Sequence, residues 1–204
     1  MPKSGGGTVY VYQFEAARPD ATATSPGGTS SRACSNASVL PWNNVSRAQA
    51  AAACAAVKDS TGASMRLCTA AEWQTACEGP GSPASSPDRF SKSLNPTTYQ
   101  AGVCNDFNFS PNPAVWKTGT TGTVAGVACY TDWAALGKLN DMSGNLSEWT
   151  STTVTSSGTT YYKIRGGNYG NLSAGTSCEF DFNIGRDGFV NSDIGFRCCA
   201  DNAP

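Results

Sequence analysis

Nine cysteines in 204 residues, with no CxxC pair among them, constrain this chain more than any other feature. They stand at Cys34, Cys54, Cys68, Cys77, Cys104, Cys129, Cys178, Cys198 and Cys199. Wide, scattered spacing argues against a zinc ribbon or a thioredoxin motif. It argues for a disulfide framework made in an oxidising compartment. The count is odd, so one cysteine is left free or pairs with another chain. An absence constrains the chemistry as strongly. Without a single histidine, the chain has no His-based triad, no His general base and no His metal ligand.

Charged residues make up only 14% of the chain and the net charge is −1. That balance excludes an electrostatic nucleic-acid binder. No run of 18 apolar residues occurs, so no membrane span is expected. Five Trp, seven Tyr and eight Phe supply a core, and the length suits one domain with long loops. Residues 1–204 are read as that domain, with a glycine-rich tail over 1–7. The opening Met1-Pro2-Lys3-Ser4-Gly5-Gly6-Gly7 has no apolar leader, so the expectation is a mature region or export without a cleaved leader. Asn-x-Ser sequons at Asn36, Asn44, Asn108, Asn145 and Asn171 are expected by chance in a chain rich in Asn and Ser.

Alternation over Thr8–Ala16 predicts a strand covered on both sides, and Arg18–Ser31 reads as a loop. Two capping boxes mark helices. Ser46-Arg47-Ala48-Gln49 opens an alanine-rich helix to Val57, with Ala50, Cys54 and Val57 on one stripe. Thr69-Ala70-Ala71-Glu72 opens a second helix that turns Trp73, Ala76 and Cys77 inward and stops at Gly79-Pro80. Cys54 and Cys77 thus sit on buried faces, which favours bridges over reactive thiols. Residues 79–132 show little periodicity, and a loop that long needs a staple or an ion. Cys104 and Cys129 lie inside it. Further strands are expected over Leu146–Val154, Tyr161–Gly167 and Ile194–Cys199.

Four segments then fall in a recognisable order: Arg66–Trp73 (RLCTAAEW), Asp141–Trp149 (DMSGNLSEW), Ile164–Asn168 (IRGGN) and Gly195–Cys198 (GFRC). The pattern resembles the formylglycine-generating enzyme, or sulfatase-modifying factor, family over roughly Pro41 to Asp201. The resemblance implies an α+β, elaborated C-type-lectin-like fold. Such a fold has little regular secondary structure, two short helices, a small antiparallel sheet and several disulfides. Catalytic members carry two cysteines that bind copper(I). Counted from Gly166-Gly167, those positions are Asn171 and Thr176 here, with Cys178 the nearest thiol. A linear dithiolate copper site needs two soft sulfurs, so no copper is expected. Relatives that use histidine-bound iron are excluded by composition.

The resemblance also implies disulfide partners: Cys54 with Cys198 and Cys77 with Cys178. Two departures from the family pattern, Cys68 and Cys199, suggest each other as partners. Cys104 with Cys129 completes four bridges and leaves Cys34. The GNLSEWT segment resembles a calcium site, with the Asn145 amide oxygen, the Glu148 carboxylate and the carbonyls of Leu146 and Thr150 as ligands. A second such site would use Asn105 and the Asp106 carbonyl. Arg165 and Arg197 are expected as buried arginines anchoring loops. The segment 168–193 has the polar and aromatic vocabulary of binding loops, with Asn168, Tyr169, Asn171, Asp181, Arg186, Asp187 and Asn191 as candidate ligand contacts. It resembles the variable segment of proteins diversified by retroelements.

The expectation is a non-catalytic, secreted or cell-surface binding or display module for a protein or glycan ligand. The alternatives are a structural subunit of an extracellular fibre, appendage or particle, linked through Cys34 into a homo-oligomer, and a divergent oxidase using Cys178.

Overall fold

The computed structural model describes residues 1, 7–80, 99–109, 114–120, 129–181 and 183–203. Both helices start at their capping boxes. Helix α1 spans Arg47–Ala55, with Gln49 N–H donating to Ser46 Oγ at 3.3 Å and Ser46 N–H to Gln49 Oε1 at 3.0 Å. It stops short of Val57 because Val57 leaves the helical pattern. The Val57 N–H reaches back to the Cys54 carbonyl, and its own carbonyl accepts Met65 N–H. Helix α2 spans Ala70–Glu78 and ends at Gly79, whose φ of 79° suits glycine. Trp73, Ala76 and Cys77 are buried, as the periodicity requires.

Among the described residues the strands are short: β1 (Tyr10–Val11), β2 (Arg66–Leu67), β3 (Tyr130–Asp132), β4 (Lys138–Asn140), β5 (Ser147–Ser156), β6 (Thr159–Arg165), β7 (Ile184–Gly185), β8 (Ile194–Phe196) and β9 (Cys198–Ala200). They form a β1-β9-β2 sheet, a β3-β4 hairpin and a β7-β6-β5-β8 sheet. All pairs are antiparallel except β5 with β8. The α+β architecture thus holds, but as three small sheets.

Two expected strands are interrupted for physical reasons. The stretch Thr8–Ala16 keeps only Tyr10–Val11 in a ladder. At Phe14 the backbone N–H turns to Ser35 Oγ, 3.1 Å away, and the Gln13 carbonyl accepts Asn140 N–H. Pairing resumes where Ala16 N–H meets the Phe196 carbonyl. The stretch Ile194–Cys199 divides at Arg197, whose side chain is drawn into the core, and the chain passes from one sheet to another.

Disulfides join Cys54 to Cys198, Cys68 to Cys199, Cys77 to Cys178 and Cys104 to Cys129, the four pairs set out above. Two of them fix β9 to α1 and to the turn before α2, at the meeting of the two larger core clusters. Cys34 is a free, half-buried thiol. Of the long loop, residues 81–98, 110–113 and 121–128 lie outside the described residues, as does 2–6 of the glycine-rich tail. Among the described residues no helix is long and apolar enough to cross a membrane.

Candidate functional site

The four sequence motifs converge on one buried polar knot. Glu148 on β5 is fully buried. Its Oε2 accepts the Trp73 indole N–H at 2.8 Å, and its Oε1 accepts Arg197 NH2 at 3.0 Å. Arg197 spends its other donors on the carbonyls of Tyr12 and Asn140, at 2.7 and 2.8 Å. Arg165 lies 5.6 Å over the Trp73 ring and reaches Gln74 Oε1, the Cys178 carbonyl and Asp181. Both arginines are therefore structural anchors. The glycines of the motifs serve close packing. A Cβ at Gly144 (φ 77°) would stand 2.3 Å from the Asn105 carbonyl oxygen, and one at Gly167 (φ 63°) 2.2 Å from that of Gly175.

The atoms expected to hold calcium belong to this network. The Asn145 amide oxygen accepts Trp116 N–H at 2.7 Å and Asn105 Nδ2 at 2.8 Å. Its nitrogen donates to Glu15 Oε2, while Leu146 N–H donates to Glu15 Oε1 at 2.9 Å. Glu15 is fully buried, and desolvation, then the nearby Asp141 and Glu148, push its pKa well up. Glu148 faces a guanidinium and an indole, and Thr150 Oγ1 donates to the Lys163 carbonyl. At the second expected site, Asn105 Nδ2 also donates to the Ala114 carbonyl, and the Asp106 carbonyl accepts Phe109 N–H. Calcium takes six to eight oxygens turned toward one point. Here the side-chain oxygens already accept N–H bonds, and an arginine occupies the neighbourhood of the carboxylate. As arranged, these residues do not fit the ion. Among the described residues no cluster of three acidic, Cys or His side chains suits a metal.

A cleft of about 320 Å³ opens beside the knot, at the end of the β7-β6-β5-β8 sheet. Ile164, Ile194 and Ser147 line it from the sheet. Asn168, Asn171, Asn183 and Asn191 line its walls together with Asp193 and the half-exposed Phe189. Asn168 Nδ2 donates to Asp193 Oδ2 at 2.9 Å, and Asn168 N–H to Asn171 Oδ1 at 2.9 Å. Asp193 Oδ1 is buried and has no hydrogen-bond partner. Burial also raises the Asp193 pKa. Phe189 is held edge-on to Trp149 at 6.5 Å. Its outer side joins an apolar hollow of about 510 Å³ shared with Tyr161, Ile184 and Arg186.

Of the residues expected to contact a ligand, Asn168, Asn171 and Asn191 meet in this cleft, and Arg186 lines the hollow next to it. The others do different work. Asp181 pairs with Lys163 and Arg165. Asp187 pairs with Arg47 at 3.3 Å. Tyr169 packs near the GNLSEW turn, its N–H on the Asn145 carbonyl. Asn183, Phe189 and Asp193 were missed, although they lie in the same segment. Their only signal was proximity to the GFR motif and residue type. Of the two positions that match the family's copper ligands, Asn171 lines the cleft and Thr176 is buried outside it. Cys178 is fully buried in its bond to Cys77, so the thiol that an oxidase reading would use is consumed.

Comparisons with known proteins agree on the fold. The structure of CarF is 25% identical over 78% of this chain and 67% of its own, with a TM-score of 0.50. PvdO from Pseudomonas aeruginosa is 17% identical over 93% of this chain and 78% of its own, with a TM-score of 0.60. The Treponema denticola variable protein 1 is 19% identical over 83% of this chain and 74% of its own, with a TM-score of 0.50. No curated protein matches the chain. The model of the sulfatase-modifying factor enzyme 1-like domain matches residues 8–202. With that match across nearly its whole length, and with its four motifs meeting at one knot, the chain belongs to the sulfatase-modifying factor, or formylglycine-generating enzyme, family.

Proposed function

We propose that this chain is a non-catalytic, disulfide-stapled binding or display module that works outside the cell and seats its ligand in the asparagine-lined cleft. One observation carries the reading. Where catalytic relatives place two copper-binding thiolates, this chain places Asn171 in the cleft wall and Thr176 in the core, and the neighbouring Cys178 is tied to Cys77. Thiolate chemistry needs free, ionisable sulfur. Four disulfides agree with an oxidising, extracellular setting. The test is copper-dependent oxygen uptake with a cysteine-containing peptide. No uptake above a protein-free control is expected, and sustained uptake overturns the reading. A structural subunit of a fibre or particle is the second reading, favoured by the one cysteine outside the bridges, Cys34. Mass measurement under non-reducing conditions would show a Cys34-linked dimer in that case.

A further inference from the structure

We infer that the cleft takes a neutral, hydroxyl-rich ligand, the ring of a saccharide, with Phe189 as its platform and Asp193 as its anchor. This rests on the binding-module reading above and names the ligand class for that site.

The polar groups of the cleft have hydrogen-bonding capacity left over. Asp193 is in the lining, and its Oδ2, which accepts Asn168 Nδ2, keeps a second lone pair for another donor. The amide walls supply the complement. Asn171 Oδ1 is used by Asn168 N–H and Asn191 Oδ1 by Ser192 N–H, which turns the NH2 groups of both residues toward other acceptors. Asn183, also in the lining, carries both a donor and an acceptor. The cleft thus sets a carboxylate with spare acceptor capacity among amide donors.

Ligand classes divide on that pattern. An anion would meet Asp193 with no Lys, Arg or His in the lining to offset it. An ammonium ion satisfies the carboxylate but offers nothing to the amide N–H groups. A hydroxyl both donates and accepts, and adjacent hydroxyls on a ring match alternating carboxylate and amide groups. The apolar side of the cleft fits the same ligand. Phe189 is 46% exposed, lines the cleft and packs edge-on to Trp149. Such a ring covers the C–H face of a sugar with little ordering cost. The volume, about 320 Å³, lies at the small end of ligand pockets, which run from about 300 to 1,000 Å³. A longer chain or an apolar aglycone would continue into the hollow over Tyr161 and Ile184.

The experiment uses isotope-labelled full-length protein and a panel of neutral mono- and oligosaccharides, a sulfated saccharide and a lysine-rich peptide. Neutral saccharides should shift the side-chain amide signals of Asn171, Asn183 and Asn191. Asp193→Ala and Phe189→Ala should each weaken that binding about tenfold or more, the size of one lost charged hydrogen bond or aromatic contact. Asn183→Ala, at a side chain outside the buried knot, repeats the test should Asp193→Ala unfold. Neutral saccharides that leave the cleft signals unmoved, or bind all three variants as tightly as the parent, overturn the inference. Shifts caused only by the peptide or by the sulfated saccharide overturn the ligand class and leave the cleft as a binding site. Oxygen uptake in the copper assay would instead overturn the binding-module reading itself.

Discussion

At the scale of the residue, Glu148 shows why a buried charge in this fold is inseparable from its partners. Its carboxylate is fully buried between Arg197 and Trp73. An ion pair taken out of water gains little over an apolar pair of the same shape, but half of one is expensive. Glu148→Gln leaves the Arg197 guanidinium without its counter-charge in the core. It should lower unfolding stability by about 3–5 kcal/mol, read as a shift in the urea midpoint, and an unchanged midpoint would refute the knot. Asp59 makes the opposite kind of prediction. Its carboxylate accepts from the Thr61 hydroxyl, from Asn202 Nδ2 and from the backbone of Thr61 and Ala63. The Thr61 and Asn202 side chains lead in holding its pKa down at about 2, below the ordinary 3.8. The folded value is depressed, so the unfolded chain binds the proton first. The stabilisation is present above pH 3.8 and is lost as pH falls toward about 2. Asp59→Asn should therefore lose its difference from the parent across that window in acid unfolding. A difference independent of pH would exclude the carboxylate as its source.

At the scale of the element, the two helices are nine residues each, too short to persist alone. Their ends and staples carry them. Thr69→Ala removes the acceptor for Glu72 N–H, at 3.1 Å, and should cost about 1 kcal/mol. Glu72→Ala should cost more, because that side chain also receives the fork of Arg66 at 2.7 Å. Thermal unfolding of both variants tests the order. The disulfides rank by the loop each closes. Cys54 and Cys198 are 144 residues apart, Cys104 and Cys129 only 25. Chain entropy alone gives about 5 against about 3.5 kcal/mol, and the other bridges shorten the longer loop. The pair Cys54→Ala/Cys198→Ala should still destabilise more than Cys104→Ala/Cys129→Ala, since Cys54 also leaves a void in the main core cluster. Elements of this kind were legible before the structure, because a capping box or an inward-facing stripe is written in neighbouring residues. The strands were less so. Nothing local in Thr8–Ala16 says that Phe14 N–H will leave the ladder for Ser35, and nothing in Ile194–Cys199 says that Arg197 will send the chain to a second sheet.

At the scale of the whole molecule, the motifs were legible as a set but their work was not. RLCTAAEW, GNLSEW, IRGG and GFR sit far apart in the chain, and only the fold reveals that Trp73, Glu148, Arg165 and Arg197 are one cluster. The same holds at the cleft. Asn168, Asn171 and Asn191 could be named from residue type, whereas Asp181 and Asp187, of equally suitable type, are taken by cationic neighbours contributed by distant elements. The side-chain oxygens expected to hold calcium are engaged by distant elements in the same way. The ligand types are all present at the GNLSEW turn, but Glu15, brought from the N-terminal segment, accepts from Asn145 and Leu146 and closes the turn by hydrogen bonds. A turn held by the Glu15 carboxyl alone would show no linkage to free calcium, since a ligand raises stability only when it binds the folded state. Calorimetric melting should therefore give one Tm in excess calcium and in excess chelator. A Tm that falls in chelator and recovers on adding calcium would show that the Asn145 and Glu148 oxygens turn to an ion after all, and that the buried network described here is what the turn becomes without it.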